Sequence, residues 1–167
     1  MQTLDRDAVT VHMDARPADV YAIIADITKT PEFSPEVKNC RWLDGATGPE
    51  VGARFKAYNK VQRGPGWSNK PVVTVADPGR EFAFTRTEVG GGTMLWRYQI
   101  AARGSGSDVT ESYEVLRPLS AVMWFVIERV CGRTDRRSDL RLGMQQTLER
   151  VRVVVERSNA GAADARQ

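Results

Sequence analysis

Between residues 37 and 116 the chain holds six runs of alternating apolar and polar residues, separated by five clusters of turn formers. The runs span 37–43, 53–60, 69–76, 81–88, 93–102 and 108–116. A period of two sends successive side chains to opposite faces, so each run reads as a strand with one buried face. The separators are Asp44-Gly45, Gly64-Pro65-Gly66, Asp77-Pro78-Gly79, Gly90-Gly91-Gly92 and Gly104-Ser105-Gly106. A parallel pair needs a crossover of a dozen residues or more, so connections this short predict antiparallel neighbours in a meander.

The flanks have other periods. Val9, Val11 and Met13 alternate with Thr10, His12 and Asp14, which adds a seventh strand. Pro17 suits a first helical turn, where its missing N–H has no intrahelical partner, and Val20, Ile23, Ile24 and Ile27 follow at helical spacing. Pro31 and Pro35 bias the residues before them away from helical geometry and leave space for only a short second helix. Beyond Pro118 the alternation stops. Residues 119–130 read as a helical segment, and Leu140, Met144, Thr147, Leu148, Val151 and Val155 mark the apolar stripe of a long terminal helix. Small and polar residues at 158–167 predict a disordered tail, which leaves 1–157 as a single domain.

Composition narrows the partners. At 167 residues, 41% hydrophobic and 27% charged, the chain reads as one globular unit. A net charge of +3, evenly spread, predicts no nucleic-acid binding. No apolar run follows a positive start at the N-terminus, and the longest apolar run, 121–127, is far short of the roughly 20 residues that span a bilayer. A cytoplasmic protein without stable membrane insertion is the expectation. Cys40 and Cys131 lack CxxC spacing or a Cys/His cluster, so they read as buried thiols rather than metal ligands or a disulfide. His12, the one histidine, alternates outward, which removes the commonest general base. Gly90-Gly91-Gly92 lacks the helix and lysine of a phosphate loop and reads as a turn. No metal and no cofactor is expected.

Several segments carry a resemblance: Arg16-Pro17-Ala18-Asp19-Val20-Tyr21 with Ile24 and Asp26, then Pro31-Glu32-Phe33 and Pro35, Val51-Gly52-Ala53-Arg54-Phe55, Asp77-Pro78-Gly79-Arg80-Glu81-Phe82-Ala83-Phe84, Trp96-Arg97-Tyr98, and Val109-Thr110-Glu111-Ser112-Tyr113-Glu114. In this order the chain resembles the START-like helix-grip superfamily, in its polyketide cyclase/dehydrase and lipid-transport (SRPBCC-type) branch, over about residues 9–155. The resemblance implies an α+β fold: a seven-stranded antiparallel sheet curved around the long C-terminal helix, with two short helices between strands 1 and 2. It also implies an apolar cavity between sheet and helix. It implies no shared catalytic signature, so no catalytic residue is assigned.

Alternation then selects the side chains that face such a cavity. They are Met94, Trp96, Tyr98 and Ile100 in one strand, Val109, Glu111, Tyr113 and Val115 in the next, Phe82, Phe84 and Arg86 before them, and Phe55, Ala57 and Asn59 earlier still. Centring the turns on Gly91 and on residues 104–106 sets Phe84 beside Tyr98, Tyr98 beside Tyr113, Arg86 beside Trp96 and Glu111 beside Ile100. Arg86 and Glu111 are then four residue steps apart, roughly 13 Å, too far for an ion pair. Each must find a partner, reach solvent or meet a ligand. The candidate ligand-binding residues are Phe33, Phe55, Trp67, Phe84, Arg86, Trp96, Tyr98, Glu111, Tyr113, Met144 and Leu148. In relatives, loops such as 61–68 cover the cavity mouth.

Two functions from different classes follow. One is binding or transport of a hydrophobic, partly polar small molecule, lipid-like or polyketide-like. The other is an aromatase/cyclase or dehydratase, with Arg or Tyr polarising a carbonyl of a poly-keto chain and Glu111 moving a proton. A third reading, a solid-cored interaction module, stands if the interior is filled. Met123-Trp124-Phe125 cannot all face one side of a helix, because successive residues are about 100° apart. Burial on two sides, a homodimer contact or transient membrane docking would each accommodate them.

Overall fold

The computed structural model describes residues 4–61, 64–88, 90–131 and 135–164. Its strands are β1 (Arg6–Met13), β2 (Val37–Trp42), β3 (Phe55–Asn59), β4 (Trp67–Asn69), β5 (Val72–Asp77), β6 (Glu81–Thr87), β7 (Thr93–Arg103) and β8 (Gly106–Arg117). Its helices are α1 (Pro17–Ile24), α2 (Thr30–Phe33), α3 (Ala121–Cys131) and α4 (Arg136–Asp164), with a 3-10 turn at Ile27–Lys29. The fold is α+β, and the named strands pair antiparallel throughout, as the short turns require.

Eight strands stand where alternation predicts seven, and Pro71 is the reason. The run 69–76 reads as one strand, but a proline has no N–H to give to a ladder. The chain changes sheets there: β4 pairs with β3, whereas β5 pairs with β6. The result is a five-stranded sheet ordered β1-β8-β7-β6-β5 and a three-stranded one ordered β2-β3-β4. Backbone bonds still join them, with Phe55 N donating to Pro71 O at 3.2 Å and Val73 N to Ala53 O at 2.9 Å.

The helix stripe read from the sequence is the buried one. Leu140, Met144, Leu148, Val151 and Val155 are all nearly inaccessible, packed against Phe82, Ile100 and Val109 at one end and Met94, Trp96 and Tyr113 at the other. Each such side chain contributes about 1.5–3 kcal/mol by leaving water. Polar ties fix the helix at both ends: Arg141 Nη1 donates to Asp7 Oδ1 at 2.6 Å, and Asp14 N donates to Glu156 Oε1 at 3.0 Å. The helix runs on to Asp164, through residues whose composition predicts a tail. Residues 165–167 of that tail lie outside the described residues.

Register differs from the expected one by two residues in both central hairpins. Phe84 lies beside Trp96, Trp96 beside Tyr113, Tyr98 beside Glu111 and Arg86 beside Met94. The cause is the turns. Arg103 pairs with Gly106, so only Gly104 and Ser105 form the loop, and Gly104 supplies its positive φ of 60°. An even shift preserves the face of every side chain, so the inward set is unchanged while its neighbours are not.

Before β2, α2 ends at Phe33 and Ser34 is extended, as the following Pro35 demands. After β8, α3 lies against the turn joining β6 and β7. A Cβ built at Gly90, where φ is +95°, would come within 2.7 Å of Met123 Cε, and one at Gly92 within 2.8 Å of Leu119 Cγ. Glycine is what allows that approach.

Candidate functional site

Among the described residues, the space between the sheets and α4 holds voids of about 50 Å³ and about 80 Å³, whose shared wall is Thr30, Val37, Phe84, Arg86, Tyr98 and Thr147. For scale, a cavity of roughly 150 Å³ accepts benzene. A wider surface groove of about 710 Å³ lies outside, and Pro35, Glu36, Asp139 and Gly143 border both it and the larger void. These four frame the mouth. A Cβ on Gly143 would meet only Pro35 Cγ, at 3.7 Å, so the helix is open there for want of a side chain. Glu36, one of the four, is held by a bidentate pair from Arg136, at 2.5 and 3.0 Å.

Aromatic rings make most of the inner walls. Phe33, Phe55 and Phe84 line the smaller void, and Phe84, Trp96 and Met144 the larger. Phe55 meets Phe84 edge to face at 5.2 Å between centroids, and Trp96 lies 5.7 Å from Tyr113. Tyr113 and Leu148 are fully buried behind these walls and line neither void. Trp67 is half-buried in β4 beside Asn59, also away from them. Of the loop 61–68, Val61 borders the outer groove and Gln62 and Arg63 lie outside the described residues.

The polar groups converge on the larger void. Tyr98 OH donates to Glu111 Oε1 at 2.8 Å, a bond that the two-residue shift in register makes and the sequence count misses. Glu111 is 4% exposed, and burial pushes its carboxyl up to about 8 against the opposing effect of the tyrosine bond. Burial first, and the neighbouring glutamate next, hold the Tyr98 phenol well above its ordinary range. Arg86 lines both voids, lies 5.3 Å from the Trp96 ring centroid and forms an ion pair with Glu88. Glu88 was not among the expected residues, although its offset of two from Arg86 places both on one strand face. Arg86 and Glu111 are four residues apart in register, so they do not pair with each other.

Some of these atoms have nothing to bond. Trp96 Nε1 and Glu111 Oε2 are buried without a hydrogen-bond partner in the protein, on residues that line the same void. Asn59, fully buried at the smaller void, reaches Asn69 Oδ1 only at 3.5 Å and leaves its own Oδ1 unpaired. Each orphaned group costs about 1–3 kcal/mol, which a ligand atom or a water could recover. A protonated Glu111, the indole N–H and the guanidinium are all donors, so the polar groups at this void are weighted toward donation. Among the described residues, no three His, Cys, Asp or Glu side chains converge as metal ligands would.

Comparison with known proteins fits this geometry. The family described as polyketide cyclase / dehydrase and lipid transport matches residues 8–156. The chain belongs to that family. Among solved structures, a polyketide-cyclase-like protein of Corynebacterium glutamicum is 28% identical, with TM-score 0.60 over 93% of each chain. A Chromobacterium violaceum protein is similar in fold at 18% identity and TM-score 0.68, covering 92% of this chain and 99% of that one. The di-domain ARO/CYC StfQ of the steffimycin biosynthetic pathway reaches TM-score 0.75 at 12% identity, over 93% of this chain and 51% of its own. No curated protein matches the sequence. As in the expected helix-grip arrangement, this family member sets an antiparallel sheet against a long C-terminal helix, with eight strands in two sheets instead of seven in one. No helix among its described residues is long and apolar enough to cross a membrane.

Proposed function

We propose that the protein binds a small, mostly apolar molecule bearing carbonyl or hydroxyl oxygens, held between the sheets and α4. The observation that carries this is the pair of orphaned polar atoms, Trp96 Nε1 and Glu111 Oε2, at one aromatic-walled void. A purely structural core would leave such groups out, because unpaired they only destabilise it. Phe33, Phe55, Phe84 and Met144 supply the apolar contact, while Trp96, Tyr98, Arg86 and Glu111 orient the ligand's oxygens. The voids are smaller than a lipid or polyketide, so loading requires the Pro35–Glu36 side of the mouth to move from Gly143.

Native mass spectrometry of protein purified from its own host tests the reading. A retained molecule of defined mass, lost when Trp96→Phe and Glu111→Leu are combined, is the expected result. Protein that emerges empty and shows no change in tryptophan fluorescence with any member of an aromatic ketone and hydroxy-fatty-acid panel would refute it.

A second reading has its own support. Glu111, protonated near neutral pH, and Arg86 face one void, an arrangement able to polarise a carbonyl and transfer a proton in a polyketide-type cyclisation or dehydration. Glu111→Gln separates the two. A binder keeps most of its affinity with this isosteric change, whereas a cyclase keeps binding and loses turnover.

A further inference from the structure

Helix α3 presents large apolar residues on two faces. Inward, Trp124 is buried over a groove of about 250 Å³ that it shares with Leu4, Met94 and Val115. Outward, Val122 is 74% exposed and Phe125 64% exposed. Arg129, also exposed, falls on the same stripe, since positions three and seven residues apart share a helix face. Leu116, more than half exposed, and the exposed Arg117 extend this surface back into the end of β8. A monomer in water gains nothing by holding a valine and a phenylalanine side by side in solvent on a helix that glycines seat so closely.

Charges of both signs are spread along the whole chain, but their local balance differs by segment. Residues 117–137 carry five arginines against Glu128 and Asp135, an excess of three. That equals the net +3 of the whole chain, so the remaining residues sum to neutral. Of the five arginines, Arg117 and Arg129 are exposed beside the apolar face, whereas Arg136 belongs to α4 and is paired with Glu36.

We propose that α3 docks this protein on an anionic lipid bilayer. Val122 and Phe125 enter the boundary between headgroups and acyl chains, and Arg117 and Arg129 meet lipid phosphates. At 11 residues the helix is about 16 Å long, half a hydrocarbon core, so it lies in the interface and does not cross it. A second copy of the chain is the poorer occupant. Two-fold pairing would set the same surface on both sides and bring like-charged segments together.

The test is sedimentation of the full chain with phosphatidylcholine vesicles and with vesicles one quarter phosphatidylglycerol, in the absence of any cavity ligand. The protein should partition onto the anionic vesicles, and far less at 0.5 M salt. Val122→Asp with Phe125→Asp should lower the bound fraction at least tenfold. Arg117→Gln and Arg129→Gln should each lower the partition coefficient about fivefold, and only on anionic vesicles. Circular dichroism and thermal unfolding of each variant would verify that it is folded. Equal, weak binding to both vesicle types overturns the proposal, as does binding that survives the double aspartate variant. So does a dimer in light scattering that the same variant disperses while no vesicles are bound. None of these readouts depends on what the cavity holds, so the ligand-binding reading stands or falls separately.

Discussion

Glu111 owes its proton to enclosure rather than to a charged neighbour, since burial is what raises its carboxyl to about 8. The sign of the consequence follows. In the unfolded chain the group titrates near 4.3, so between about pH 4 and pH 8 the folded state holds the extra proton. That contribution to stability is intact below the unfolded value and is lost as pH rises through the folded one. The total is on the order of a few kcal/mol. Urea unfolding should therefore show the wild type weakening from pH 5 to pH 8.5, while Glu111→Gln stays nearly flat and becomes the more stable protein at the alkaline end. Equal slopes for the two proteins would mean that the carboxyl is hydrated. That Glu111 and Arg86 point inward was legible from a period of two. Their partners were not: Tyr98 sits beside Glu111 only because each hairpin turns one residue earlier than glycine counting suggests, a choice made by backbone dihedrals at Gly104. Glu88 was missed for a simpler reason: the run 81–88 ends on it and the inward set stopped at Arg86, while in the structure it lies just past the end of β6.

Among the elements, α4 was the plainest in the sequence, because its stripe repeats over several turns and so has one periodic solution. Strand existence was equally plain. Where one strand stops and the next sheet begins was not, since the run 69–76 keeps its alternation across Pro71 and only the missing N–H breaks it. The mouth was illegible too. It is formed where the end of α2 meets α4 at Pro35 and Gly143, residues more than a hundred apart that no local pattern connects. The structure makes Gly143 a testable gap. Gly143→Leu keeps the helix and improves its propensity, so the fold should hold or gain slightly. The leucine would fill the space against Pro35, and ligand association measured by stopped-flow fluorescence should slow at least tenfold. An unchanged association rate would place the way in elsewhere. The bidentate Arg136–Glu36 pair beside it predicts the opposite for Arg136→Gln, a faster association as that side of the mouth loosens.

At the scale of the molecule, the fold class was legible because it depends on connection lengths and two periodicities, whereas the cavity was not, because its volume depends on ångström-level seating of α4. The family resemblance implies a hollow, and the described residues enclose voids of about 50 and about 80 Å³. A ligand that fills them binds the folded state alone, so at a hundred times its Kd it adds about 2.7 kcal/mol. For a chain of this size that is a rise in Tm of about 5–10 °C, measurable by calorimetry, and a ligand that quenches Trp96 without moving Tm would be sitting on the surface. Those voids also set how the protein answers compression. Unfolding lets water into space that the native chain keeps vacant, so the denatured solution takes up less room, and squeezing the sample favours it. An occupant of the right shape removes that advantage, and the pressure needed to unfold the protein becomes a gauge of how full its interior is, even before anyone knows with what.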